Sequence, residues 1–128
     1  MKGIPFALLA IVLILGISCG HKTTGSARLK ARFEIKGLCS NYTFSLLEGR
    51  LDSSMVEPSW TNPQTGHTYK NAFGVSNSCD LPADLKEGDE FYFEIIPGEP
   101  TQCAVCMAFY PVPGKKLNFK VLAVNPNK

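Results

Sequence analysis

Ten consecutive residues near the start of the chain alternate strictly between apolar and polar side chains. The apolar members occupy the odd positions from Ala27 to Ile35, and charged residues occupy the even positions from Arg28 to Lys36. A period of two puts one set on each face of a β-strand, whereas a helix would scatter the apolar residues around its circumference. The segment therefore predicts a strand with one buried face and one solvent-exposed face.

The same period recurs further along the chain, between turn residues. Tyr42, Phe44 and Leu46 alternate with more polar neighbours after a turn, so residues 27–48 predict a β-hairpin. Residues 50–68 contain two prolines and a glycine and predict a long loop that can include a short strand. Further strands are predicted over about 69–77, 90–96, 103–110 and 117–123.

Five or six short strands with almost no helix predict an all-β fold, built as a small antiparallel barrel or a sandwich. We favour a partly open, OB-like (oligonucleotide/oligosaccharide-binding) barrel, because the long first strand and the meander are compatible with it. An immunoglobulin-like β-sandwich is the alternative. That fold usually needs about seven strands and a Cys–Trp–Cys order that is poorly spaced in this chain.

The first twenty residues have the pattern of a secretory signal peptide. Lys2 precedes an apolar run from Ile4 to Ile17, and small residues follow it. A basic start, a short apolar centre and a small-residue exit are typical of such signals. The run is shorter than the roughly 20 apolar residues that a membrane-spanning helix needs. The sequence therefore predicts an exported protein.

The exit of this signal resembles the lipobox of bacterial lipoproteins, in the residues Leu15, Gly16, Ile17, Ser18 and Cys19. In that family a peptidase cuts before the cysteine, whose thiol carries a diacylglycerol. The resemblance implies that Cys19 is lipidated and anchors the protein in the membrane of a bacterial cell envelope. Gly16 departs from the leucine that is usual at its position.

Four segments follow from this interpretation. They are a signal peptide at 1–18, a lipid-anchored polar tether at 19–26, a single β domain at 27–124 and a polar tail at 125–128. Gly20 follows the cysteine and the tether has no acidic run, so the resemblance implies the outer membrane, facing the periplasm. Cleavage after Gly20, which would give a secreted soluble protein, is the alternative.

Four cysteines remain besides Cys19, namely Cys39, Cys79, Cys103 and Cys106. An even number in a short exported chain predicts a disulfide framework. Sequence alone leaves three pairings open. A bridge between Cys103 and Cys106 is difficult if both lie on one strand, because residues three apart face opposite sides. We therefore expect each of these two to bond to Cys39 or Cys79.

The spacing of Cys103 and Cys106 also matches thiol-redox pairs and zinc ligands. A redox pair needs its first cysteine at the start of a helix, but Pro111 soon follows. A four-cysteine zinc site usually has a second pair at the same spacing, which this chain lacks. An exported thiol-redox protein or a structural metal-binding domain is therefore the alternative function. We expect no catalytic residue, no cofactor and no metal, and hence no enzyme.

Two sets of side chains are candidate binding surfaces. The polar face of the first strand offers cations to an anionic ligand, and aromatic rings beside the Pro/Gly-rich loop offer contacts to a glycan or a protein. Each set also has a structural explanation. The cations can simply form the solvent-exposed face of a sheet, and the tryptophan can cover one end of the barrel. The two sets are Arg28, Lys30, Arg32 and Lys36, and Trp60 and Tyr69.

The function that these patterns indicate is a membrane-tethered, non-enzymatic binding or accessory domain. A formal net charge of +2 is too small to predict nucleic acid as a partner. We expect a monomer that contacts the membrane through its lipid anchor. The sequence does not identify its glycan or protein ligand.

Overall fold

The computed structural model describes residues 28–125, which form seven β-strands and two 3-10 turns at Leu38–Ser40 and Ser78–Asp80. The all-β prediction is confirmed. The signal peptide, Cys19, the tether and residues 126–128 lie outside the described residues. Within 28–125 no helix has the length and apolar character needed to cross a membrane. The strands are β1 (Leu29–Lys36), β2 (Tyr42–Glu48), β3 (Glu57–Thr61), β4 (Thr68–Val75), β5 (Glu90–Ile95), β6 (Lys116–Leu117) and β7 (Phe119–Asn125).

The strands pair side by side in the order β3-β4-β2-β1-β5-β7, and all of these pairs are antiparallel. β6 pairs with β4 in parallel, and Asn118 alone separates β6 from β7. The final stretch of chain therefore touches both β4 and β5. The hydrogen-bonded sheet is not closed, but this step brings its two sides together in a partly open, OB-like barrel.

Two segments differ from the sequence prediction. The predicted strand over 103–110 is wrong, because none of its residues pairs with the sheet. An apolar run of this length between prolines looks the same whether it becomes a covered strand or an irregular loop. The predicted loop over 50–68 differs only in that its short strand, which the sequence left open, is formed as β3 and pairs with β4. The strand count rises to seven because of β3 and the two-residue β6.

Aromatic rings fill the interior of the barrel. Phe44 lies at the centre, with ring-centroid distances of 4.8 Å to Phe33, 5.6 Å to Phe73 and 5.4 Å to Phe119. Such stacked and edge-to-face pairs stabilise a core beyond the area that they bury. The core also contains Ala31, Val56, Val75, Leu85, Phe91, Phe93 and Leu117.

One buried amide fixes the loop after β4. The side chain of Asn77 is fully buried, donates to the Phe119 carbonyl at 2.8 Å and accepts from the Phe119 N–H at 3.1 Å. Both backbone groups at the start of β7 are thereby satisfied inside the protein, where an unpaired group would be costly. This contact holds the turn that carries Cys79 against the barrel.

Candidate functional site

Two disulfides join the loops at one end of the barrel. Cys39 bonds to Cys106 with 4.9 Å between the Cα atoms, and Cys79 bonds to Cys103 with 6.2 Å between them. The expectation that Cys103 and Cys106 each bond to Cys39 or Cys79 is confirmed. Stable disulfides form in oxidising compartments outside the cytosol. The pairing therefore indicates an exported protein.

The disulfides hold the long loop between β5 and β6, which comprises residues 96–115. Asn41 reinforces the first bridge, because its side-chain amide donates to the carbonyls of Leu38 at 2.8 Å and Ala108 at 3.2 Å. At the other end of the loop, the Gly114 N–H donates to Glu57 Oε1 at 2.8 Å. The long loop is thus attached to three neighbouring parts of the barrel although it contains no strand of its own.

The long loop and the adjacent turn expose four apolar side chains, which we call the apolar tip. Their exposed fractions are 66% for Leu38, 48% for Val105, 97% for Met107 and 83% for Phe109. No charged residue occurs from position 100 to 114. Large apolar side chains gathered on an exposed surface are typical of interaction sites. Disulfides beside the apolar tip restrain it from folding back onto the barrel.

A polar cleft of about 280 Å³ opens between the two disulfides. Residues from three loops line it, among them Ser40, Ser76 and Gln102. Lys116 of β6 adds a cation to the lining. Val105 belongs both to this cleft and to the apolar tip. The disulfide-bonded end of the barrel therefore combines an apolar protrusion with neighbouring hydrogen-bonding groups.

The cations predicted on the polar face of β1 are matched by carboxylates from the neighbouring strands. Lys30 Nζ lies 3.4 Å from Glu90 and 3.6 Å from Glu48. Desolvation lowers the pKa of Lys30, but the hydrogen bond and charge of Glu90, together with Glu48, more than offset it and raise the pKa overall. Arg32 lies 3.6 Å from Glu90 as well. This part of the face carries both signs of charge.

The two end residues of the predicted set differ, and Lys36 is not on the face of Lys30 and Arg32. The register of β1 on β2 shifts between Phe33 and Ile35, which places Lys36 opposite Tyr42. Arg28 is exposed, and its guanidinium carbon lies 5.7 Å from the centre of the Tyr92 ring. The backbone N–H of Lys36 donates to Glu87 at 2.6 Å. Sequence reasoning missed these partners because they reach β1 through strand pairing and turn geometry, which local spacing does not reveal.

The predicted aromatic residues form a cross-strand pair on the β3–β4 hairpin. Trp60 and Tyr69 are half-buried and stack with 6.0 Å between ring centroids, and His67 approaches Tyr69 at 4.5 Å. Desolvation, assisted by the negative charge of Glu34, raises the pKa of Tyr69. Trp60 is not part of the buried core, so it lies on the hairpin and does not close the barrel.

The structure brings one member of each predicted surface into a shared cleft. This Tyr69 cleft has a volume of about 280 Å³ and is lined by Arg32, Glu34, His67, Tyr69 and Lys70, among others. Charged groups beside an aromatic ring suit the recognition of a polar ligand with an apolar face, such as a sugar. Lys36 and Trp60 are not among its lining residues.

Sequence reasoning missed the apolar tip, although a signal for it was present. Val105 and Met107 flank Cys106, which forms a disulfide, and Phe109 follows in the same stretch without charged residues. Apolar residues are buried more often than exposed, so this stretch was interpreted as a covered strand.

The alternative functions of Cys103 and Cys106 depend on a free thiol or thiolate. In this structure the two are bonded to different partners and not to each other. Among residues 28–125, no group of three or more potential His, Cys, Asp or Glu ligands lies together.

No protein-family model matches the chain, and no curated protein or solved structure matches it either.

Proposed function

We propose that the protein is an exported lipoprotein of a bacterial envelope, anchored through Cys19 in the outer membrane and facing the periplasm. Its β domain is a non-enzymatic binding module that docks a protein partner at the apolar tip. The lipobox-like residues before Cys19 support the anchor, and the two disulfides support the compartment. The partner offers a neutral, apolar groove.

The exposure of the apolar tip is the observation that carries the binding function. Met107 and Phe109 are almost completely accessible, although the loop that bears them is attached by two disulfides. Burying a Phe or Met side chain in a partner contributes about 1.5–3 kcal/mol relative to leaving it in water. Restraining the loop beforehand reduces the conformational entropy that docking would otherwise cost.

The position of the tether favours a protein partner over the anchoring membrane. β1 separates Arg28 from Leu38, and its eight residues advance by about 26 Å along the strand. The nine residues that precede Arg28, which are the tether at 19–26 and Ala27, reach at most about 30 Å when fully extended. The apolar tip therefore lies at the far end of β1 from the point where the anchoring segment joins the domain.

The Tyr69 cleft supports a second candidate, the binding of a glycan. Glycan binding is favoured because Arg32, Glu34 and Tyr69 line the same cleft. Arginine and carboxylate groups can hydrogen-bond sugar hydroxyls while the ring packs on a sugar face. A glycan-binding domain would use this cleft and would not need the apolar tip.

Photo-crosslinking in intact host cells distinguishes the two sites. We expect a photoreactive phenylalanine analogue at position 109 to capture one discrete protein, and the same analogue at position 69 to capture none. Met107→Asp should abolish that product, because a buried unpaired carboxylate is strongly disfavoured in an apolar groove. The product should persist at high salt because the apolar tip is uncharged.

Thr65, which is exposed on the β3–β4 loop, gives a matched control position. The proposed docking site is wrong if position 109 captures no more than position 65, or if Met107→Asp leaves the product unchanged. A specific product at position 69, to a glycan-bearing molecule, would assign the function to the Tyr69 cleft.

A further inference from the structure

A second exposed apolar area lies at the opposite end of β1 from the apolar tip. It is a shallow cleft of about 200 Å³ between β1, β5 and β7. Leu122, the extra residue of a bulge in β7, is 55% exposed beside it, and Ala123 lies opposite Tyr92 of β5. We call this area the tether-side patch; its residues are Arg28, Leu29, Tyr92, Phe93, Leu122 and Ala123.

Cations border the tether-side patch. The Arg28 guanidinium carbon lies 5.7 Å and the Lys30 Nζ 5.6 Å from the centre of the Tyr92 ring. Lys30 is paired with carboxylates, whereas Arg28 is exposed. Leucine and tyrosine beside an arginine are typical of surfaces at the lipid–water boundary, where apolar parts enter the headgroup region and the cation meets phosphate.

The chain enters the described structure inside this patch. Arg28 is its first residue, so the segment that links the domain to Cys19 starts there. The nine residues from 19 to 27 can extend by at most about 30 Å. Of the two exposed apolar areas, the tether-side patch is the one that such a segment keeps close to the bilayer.

We propose that the tether-side patch rests on the phospholipid surface that holds the anchor. Leu122 and Tyr92 lie at the depth of the headgroups, and Arg28 contacts lipid phosphates. This contact fixes the orientation of the barrel and directs the apolar tip into the periplasm. The inference rests on the proposed anchoring through Cys19.

Tryptophan fluorescence on vesicles tests the orientation. The chain has one tryptophan, so Trp60→Phe gives a background without any. In that background Leu122→Trp reports on the tether-side patch, and Phe109→Trp is the matched control on the apolar tip. The acylated proteins are reconstituted in phosphatidylethanolamine/phosphatidylglycerol vesicles that contain lipids with a quencher near the headgroup.

We expect the emission of the Leu122→Trp protein to fall about twofold or more on the quencher vesicles, since interfacial side chains lie within the headgroup region. The Phe109→Trp protein should keep its intensity. Ala123→Trp provides a second reporter on the same patch if Leu122→Trp does not fold. Equal quenching at positions 122 and 109, or quenching at 109 alone, would overturn the inference.

Flotation of the vesicles separates this inference from the anchoring on which it rests. Protein that floats with the vesicles but shows no quenching at positions 122 and 123 contradicts the membrane contact and leaves the anchor intact. Protein that carries no acyl group and does not float contradicts the anchor itself, and the orientation falls with it.

Discussion

Replacing Phe44 by alanine lowers the free energy of unfolding by about 3–5 kcal/mol. Phe44 is fully buried, and its ring meets those of Phe33, Phe73, Phe91 and Phe119 within 5.7 Å. The substitution removes all four contacts and leaves a cavity that neighbouring rings fill only in part. Urea or guanidinium unfolding of the oxidised protein measures the loss.

Leu122→Ala is the matched control, since this side chain is more than half exposed. Its effect should stay within about 0.5 kcal/mol, as is usual for surface positions. A loss below about 1 kcal/mol for Phe44→Ala would show that the phenylalanine cluster does not form the core.

Removing the bridge between Cys39 and Cys106 costs about 4 kcal/mol, and removing the one between Cys79 and Cys103 costs about 3 kcal/mol. The order follows from the sequence separations of 67 and 24 residues, because a longer closed loop loses more entropy in the unfolded chain. Each bridge is removed by paired Cys→Ala substitutions, so that no free thiol remains. Equilibrium unfolding of the two double variants gives the two losses.

Limited proteolysis locates the effect of removing the longer bridge. Without the Cys39–Cys106 bridge, chymotrypsin should cut faster after the exposed Phe109 while β1 and β2 remain intact. An equal loss for both bridges, or a larger loss for the shorter loop, would contradict the chain-entropy explanation. Unchanged cleavage after Phe109 would show that the bridge does not restrain the apolar tip.

Much of the barrel is predictable because its strands alternate. Phe33 and Phe44 occupy the apolar positions of the first hairpin, and Phe91 and Phe93 share one face of β5. Each of these positions is buried, since a period of two assigns every second side chain to the core. The all-β class therefore follows from local pattern alone.

The disulfide partners were predicted on a premise that does not hold. Cys103 and Cys106 bond to different partners as expected, but not because they lie on a strand. Their segment is an irregular loop that crosses the end of the barrel. Loop paths depend on contacts that are distant in sequence, such as the hydrogen bond between Asn41 and Ala108, and no local period encodes them.

The local sequence pattern could not predict the charge balance of the β1 face either. Glu90 pairs with both Lys30 and Arg32 although it lies 58 positions after Arg32 in the sequence. The contact depends on the register of β1 against β5, where Arg32 lies opposite Glu90. The sequence of β1 alone predicts a row of cations, whereas in the sheet Lys30 and Arg32 are paired with carboxylates of neighbouring strands.

Mass spectrometry of the N-terminal peptide of the mature protein, isolated from the host envelope, is the most direct test of the central proposal. The account predicts that the peptide begins at Cys19 and carries a diacylglycerol on its sulfur, with none of residues 1–18 attached. A peptide that begins after Gly20, or one that retains the signal with an unmodified Cys19 thiol, would contradict it.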